Sequence, residues 1–323
     1  MNSVASPMLT NPILACDGQG LKRLVYAALQ WMEQHTAVVN SLNVFPVPDG
    51  DTGTNMYLTL QAAWEEVCDN PDSVVSEIAH GVARGALMGA RGNSGVILSQ
   101  LWRGFARALD DLESMDATTF AKALDEARQT AYKGVVRPVE GTILTVSKDV
   151  AAEAERAVQD GVTSAFEVLE RVVRAADESV ERTPDLLPVL KEAGVVDSGG
   201  KGLFFIFEGM LRAAYRQPLD TPLISVQPLS ALNLENAAEA IEPGQDWEVV
   251  VDFHPGQNFD LRAFYDRLET MGTSIQVGEG DGLLVHGEDA TLGCHVGHPV
   301  RPYGSDHLGD LLRVLPEQLH HFR

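Results

Sequence analysis

Asp49-Gly50-Asp51-Thr52-Gly53-Thr54-Asn55 runs directly into Met56-Tyr57-Leu58-Thr59-Leu60-Gln61-Ala62-Ala63-Trp64, which reads as a helix. A pair of carboxylates therefore stands on a loop that ends at a helix N-terminus. Carboxylates at i and i+2 with a small residue between them converge on hard cations, and the glycine and hydroxyls that follow leave backbone amides free for phosphate. The dipole and unpaired amides of the helix start favour the same anion. Upstream, Asn43-Val44-Phe45-Pro46-Val47-Pro48 enters as an extended run, because each proline biases the residue before it away from helix. An acidic turn is the ordinary alternative for the loop alone, since Asp-Gly is a common turn dipeptide.

Around this segment the chain is helical. Between 21 and 39 the apolar residues Leu24, Val25, Ala28, Leu29, Met32, Val38 and Val39 recur near helical spacing. Further helices are expected at about 55–68, 73–89, 94–110, 117–133, 141–158, 163–180 and 200–216, with no strand among them. The first two-thirds thus reads as an all-α bundle whose short loops make neighbouring helices antiparallel.

Several helix starts share the small-residue character of the aspartate loop. Gly92-Asn93-Ser94-Gly95 precedes Val96-Ile97-Leu98, Glu140-Gly141-Thr142 precedes Ile143-Leu144, and Asp197-Ser198-Gly199-Gly200-Lys201-Gly202 precedes Leu203-Phe204. Each is also readable as a capped start, with Asn93, Thr142 or Ser198 as the cap. In an up-and-down bundle alternate loops gather at one end, so these starts can line one anion site. Neither the Walker loop nor the dinucleotide fingerprint matches, and the strands those motifs need are missing.

A formal charge of -22 argues against nucleic acid as a partner. Hydrophobic content of 45% and charged content of 22% are those of a folded globular chain rather than a disordered one. Cys16, Cys68 and Cys294 are widely separated and odd in number, which gives no disulfide framework and leaves a reducing cytoplasm as the expectation. No apolar run is long enough to span a membrane and no leader pattern opens the chain. Pro218, Pro222, Pro228 and Pro243 mark 217–245 as a linker. Beyond it, strands at 247–253, 274–277 and 283–286 and helices at 261–271 and 308–314 read as a small α/β domain.

In that combination and order, Asn43 to Met56, Gly92-Asn93-Ser94-Gly95, Glu140-Gly141-Thr142 and Asp197 to Gly202 closely resemble the nucleotide-binding domain of bacterial fatty-acid kinase, itself homologous to the ATP-binding subunit of dihydroxyacetone kinases. The resemblance covers about 15–216 and implies a multidomain protein: an all-α antiparallel eight-helix barrel, followed over 246–323 by a small α/β domain of the family's middle type. It implies ATP as co-substrate and Mg2+ held by Asp49 and Asp51 as the catalytic pair, with Asn43 offering a carbonyl oxygen where dihydroxyacetone kinases place a third aspartate. Thr52, Gly53, Thr54, Asn55, Asn93 and Ser94 would meet phosphates, and Gly134, Thr142, Asp197, Ser198 and Gly199 would lie around the nucleoside.

The implied reaction transfers the γ-phosphoryl group to a fatty-acid carboxylate presented by a lipid-binding carrier protein. The product is an acyl phosphate, on the way to phospholipid metabolism. Such a carboxylate is already ionised at neutral pH, so positioning and magnesium would supply most of the catalysis. A dihydroxyacetone-type phosphotransferase subunit and a non-catalytic nucleotide-binding regulator are the alternatives, and the resemblance leaves room for a homodimer. In the middle domain the family commonly builds a zinc site from a cysteine and His-x-His. Here Trp247-Glu248 stands near the cysteine position and Val285-His286-Gly287-Glu288 keeps one histidine, so that site does not carry over residue for residue. His286, Cys294, His295 and His298 are zinc-competent types nearby, set against a reading as exposed loop residues. The family's usual C-terminal domain has no counterpart before Arg323, so a shortened form or a separately supplied domain is expected.

Overall fold

The computed structural model describes residues 15–219, 248–253, 263–264, 273–279 and 283–288. It is mostly helical. In chain order the described elements are β1 (Cys16–Asp17), α1 (Gly18–Ser41), α2 (Thr52–Val67), α3 (Val75–Met88), α4 (Gly92–Arg107), β2 (Ser114–Met115), α5 (Ala117–Gly134), α6 (Ile143–Gln159), α7 (Ala165–Leu186), α8 (Pro188–Ala193), α9 (Ser198–Ala214), β3 (Glu248–Phe253), β4 (Thr273–Glu279) and β5 (Leu283–Glu288).

Each long helix follows from its sequence. On α1, Leu21, Leu24, Val25, Ala28, Leu29 and Met32 form the buried stripe, and Asp17 caps the start by accepting from the Gly20 amide at 2.7 Å. On α2 the buried stripe is Met56, Leu60, Ala63 and Val67. A reciprocal capping box, Asp116 with Thr119, opens α5. Full burial of each large apolar side chain contributes about 1.5–3 kcal/mol, which is why the stripes rather than helix propensity hold these segments.

The helices from α1 to α7 pack each against the next, α7 packs against α9, and α9 packs back against α1. Leu98, Leu101, Phe105, Phe120, Leu169 and Ile206 are among the side chains lining an apolar cavity between α4, α5, α7 and α9.

Three departures from the sequence expectation have physical causes. Helix α7 runs through Pro184 to Leu186 rather than stopping near 180. Proline has no N–H for the Val180 carbonyl, but the Thr183 hydroxyl donates to that oxygen at 2.7 Å and fills the gap. The six-residue α8, begun at Pro188 and ended by Gly194 at φ +71°, is too short to show periodicity. The helical part also contains strands after all: β1 and β2 pair antiparallel, Cys16 opposite Met115, as two-residue segments with no alternation to read.

Beyond the helices, β3, β5 and β4 form an antiparallel sheet in that order, with Val250 opposite His286 and Val285 opposite Val277. The expected helix at 261–271 is described as helical at 263–264; the rest of it, the helix at 308–314, and Cys294, His295 and His298 lie outside the described residues.

Helices α4 and α5 meet across Gly104. A Cβ there would lie 2.6 Å from Thr130 Oγ1 and 2.7 Å from the Ala127 Cα, and against the Glu126 carbonyl oxygen, so the helices must separate to admit one. Gly104→Val is expected to lower the unfolding free energy by about 1–3 kcal/mol, the usual cost of overpacking. Urea unfolding reads this directly, and an unchanged midpoint would mean that the contact gives without cost.

Candidate functional site

The starts of α2, α4, α6 and α9 are joined by side-chain hydrogen bonds. Thr52, the first residue of α2, donates its hydroxyl to Asn43 Oδ1, and the Ser198 hydroxyl at the head of α9 reaches Thr52 Oγ1 at 3.2 Å and Asn43 Oδ1 at 3.5 Å. Ser94, in the first turn of α4, donates to the Thr52 carbonyl at 3.4 Å. Asp197 caps α9 by accepting from the Gly200 amide at 2.6 Å, and also accepts from the Ile143 amide at the head of α6. Positions spread over more than a hundred residues of sequence are thereby brought to one place.

Asp49 and Asp51 stand on the loop between α1 and α2. Asn43 is 3% exposed and donates its amide at 2.8 Å to Asp49 Oδ1 and at 2.7 Å to the Val47 carbonyl. Its carbonyl oxygen is turned to Thr52 and Ser198, so in this geometry it orients Asp49 rather than facing a ligand itself. Partial burial, and then the charge of Asp51 beside it, push Asp49 up to about 6. Two carboxylates held this close are stabilised by a shared cation.

The other expected residues divide into those that face the junction of helix starts and those that build it. Both polar atoms of the Asn93 side-chain amide are buried without a hydrogen-bond partner, beside Ser94. A buried amide left unpaired costs on the order of 1–3 kcal/mol, so a ligand that pairs with it gains that much. Asn55 packs against Gly92, whose φ of +58° and lack of a Cβ admit the Asn55 amide.

Gly53 and Thr54 are committed to α1. A Cβ on Gly53 would meet the Thr36 carbonyl, and Thr54 donates its backbone amide to Asn40 Oδ1 at 3.1 Å while its hydroxyl accepts from Asn40 Nδ2 at 3.0 Å. Thr142 caps α6, its hydroxyl bonded to the Val139 carbonyl at 2.8 Å. Gly134 is the buried last residue of α5, and Gly199 lies against Ile143 of α6. Asp197 is 4% exposed and its carboxyl is wholly engaged by backbone amides. These last residues serve as helix caps and as packing contacts between helices.

The sequence reading missed a cluster at the α5–α6 turn. Glu140 accepts from Tyr132 at 3.1 Å, Thr145 at 2.7 Å and Lys148 at 2.6 Å. Burial raises the Glu140 carboxyl, but the hydrogen bonds from Lys148, Thr145 and Tyr132 outweigh it and hold the group below its ordinary value. Burial, and then the Glu140 charge, push the Tyr132 phenol up. Nothing local signals Tyr132, which sits on the preceding helix.

Two hard carboxylate ligands suit magnesium, which is usually held by one or two carboxylates with phosphate and water completing its shell. Among the described residues no group of three or more His, Cys, Asp or Glu is placed to hold a metal ion, so an all-protein cage is not what this geometry offers. Among the same residues no helix is long and apolar enough to cross a membrane.

The DAK2 domain model matches residues 46–212. An uncharacterised protein of Staphylococcus saprophyticus is 38% identical over 315 residues, covering 94% of this chain and 55% of that protein. Protein YloV of Bacillus subtilis is 38% identical over 321 residues, covering 95% of this chain and 56% of its own length. The chain therefore spans about half the length of the curated relatives it matches. The crystal structure of the dihydroxyacetone kinase of C. freundii in its native form is 19% identical with a TM-score of 0.42, covering 61% of this chain and 34% of that one.

Proposed function

The chain belongs to the DAK2 domain family, and from that premise we propose that the joined starts of α2, α4, α6 and α9 hold a magnesium nucleotide whose γ-phosphoryl group is transferred to an acceptor carboxylate. The observation that carries this reading is the Asp49–Asp51 pair, braced by Asn43 and set at the head of α2, with the unpaired Asn93 amide on the neighbouring helix start. In this proposal the helical part is an eight-helix barrel, a reading supported by the closed order of helix neighbours. It spans 15–216 and is followed by a linker at 217–245 and a small α/β domain at 246–323.

Asp49 and Asp51 would hold the magnesium, which when bound supplies neutralising charge to the phosphate oxygens. Asn43 fixes the Asp49 carboxylate through its amide, and its carbonyl oxygen ties that carboxylate to Thr52 and Ser198, so α2 and α9 are kept in register. Asn93, Ser94 and the first amides of α2 and α4 would receive phosphate oxygens. No residue is needed to take a proton from an acceptor that is already a carboxylate.

The acceptor proposed is a fatty acid presented by a lipid-binding carrier, on the strength of the motif resemblance. The test is incubation with Mg-ATP, a fatty acid and a bacterial fatty-acid carrier protein, with hydroxylamine trapping the acyl phosphate as a hydroxamate. A trapped product that depends on the carrier is the expected result. ATP consumption only with dihydroxyacetone and its carrier protein would reassign the acceptor, and none with either pair would sink the kinase reading in favour of a nucleotide-binding regulator.

A further inference from the structure

We propose that Arg91 is a catalytic residue whose guanidinium supplies positive charge to the transferring phosphoryl group; this rests on the nucleotide reading above. Arg91 is the N-cap of the sixteen-residue α4. Its backbone is fixed on both sides, with its amide donating to Thr59 Oγ1 at 3.1 Å and its carbonyl accepting from the Gly95 amide at 2.9 Å. The side chain is exposed, and among the described residues its guanidinium makes no hydrogen bond or ion pair.

In a chain of formal charge -22, several other cations are held by carboxylates. Arg84 is held by Glu66, Arg107 by Glu126 and Arg182 by Asp149. Close to the helix starts, Lys148 is spent on Glu140 and Lys201 on Asp177. Arg91 has no such claim on it, and it directly precedes Gly92 and the Asn93 amide whose buried atoms also lack partners. Ser94, three residues on, bonds to the first residue of α2. An uncommitted planar donor fork at the head of the helix start that carries Asn93 and Ser94 fits a phosphoryl group, which arginine binds through paired hydrogen bonds.

In the transfer, an acceptor carboxylate oxygen forms a bond to the γ phosphorus while the bond from that phosphorus to the β–γ bridging oxygen breaks. The electron pair stays with ADP. Arg91 neither gains nor loses a proton; it offsets negative charge on the phosphoryl oxygens as they pass between the two partners. Arginines acting so are worth roughly 1,000-fold or more in turnover.

The test needs no acceptor. The whole chain is titrated with ADP and magnesium, with and without aluminium fluoride, which mimics the phosphoryl group in transfer. Wild type should bind ADP at least about 100-fold tighter when fluoride is present, as transition-state mimics do. Arg91→Ala should bind Mg-ADP as wild type does yet lose most of that gain, and Arg91→Lys should recover part of it. Retention of the full gain by Arg91→Ala, or no gain in wild type that binds Mg-ADP, overturns the assignment. Failure of wild type to bind Mg-ADP at all removes the nucleotide site itself, and the role of Arg91 with it.

Discussion

Asp49→Ala and Asp51→Ala are each expected to weaken magnesium-dependent nucleotide binding by at least about 100-fold, close to 3 kcal/mol at 1.4 kcal/mol per tenfold. In the proposed site the pair would provide the protein's share of the cation's shell, and one carboxylate alone would leave too few hard ligands. The fold should survive both changes. Asp49 is raised toward 6 by partial burial and by Asp51, so removing either member relieves repulsion, and Asn43 keeps its bond to the Val47 carbonyl when Asp49 is gone. Thermal unfolding in the absence of metal checks that half, with a midpoint equal to or above wild type expected. Wild-type binding in both variants would place the cation elsewhere.

Asp197→Ala should act in the opposite way, damaging stability first. Its carboxyl accepts from Gly200 at 2.6 Å and from Ile143, so alanine removes the α9 cap and orphans a buried amide of α6. A lost cap costs about 1 kcal/mol and an unpaired buried amide about 1–3, giving an expected total of roughly 2–4 kcal/mol in urea unfolding. There is also a pH signature. Burial pushes Asp197 up to about 7 against the opposing hydrogen bonds of the two amides, from an ordinary value of 3.8. The folded state therefore holds a proton that the unfolded state has released, and this contribution to stability is full below about 4 and is lost as pH rises through about 7. The slope approaches 1.4 kcal/mol per pH unit within that window. Asp197→Asn cannot titrate, so its stability relative to wild type should improve as pH rises from 4 to 7; a constant difference across the window would contradict the buried, proton-holding carboxyl.

Much of the helical architecture is legible in the sequence because it rests on periodic burial. The stripe from Leu21 to Met32 and the run from Met56 to Val67 each repeat at helical spacing, and both are helices. What escapes is decided by single contacts. The Thr183 hydroxyl takes the place of the amide that Pro184 lacks, and no periodicity rule contains that substitution of one donor for another. The start of α2 at Thr52 rather than near 55 has a similar cause, since Asn40 reaches across from α1 to hold Thr54.

The site is legible as a set of loops but not as a set of roles. Small residues and hydroxyls before helices mark where the four starts lie, and the structure joins them through Thr52, Ser94, Asp197 and Ser198. Which atoms of those residues remain free depends on partners distant in sequence. Gly53 and Thr54 turn to α1, Asp197 is consumed by capping, and Asn43 becomes a brace for Asp49, because Thr36, Asn40, Ile143 and Ser198 happen to be their neighbours. Conversely Glu140 and Arg91 were in plain view, but only the tertiary structure distinguishes a carboxylate held by three donors from a guanidinium held by none.

Calorimetric titration of the purified chain with ATP, with and without magnesium, tests the nucleotide site most directly. Binding that requires magnesium is the expected result, because the two aspartates repel phosphate until a cation lies between them. Binding of equal strength without magnesium, or none under either condition, would contradict the assignment of Asp49 and Asp51.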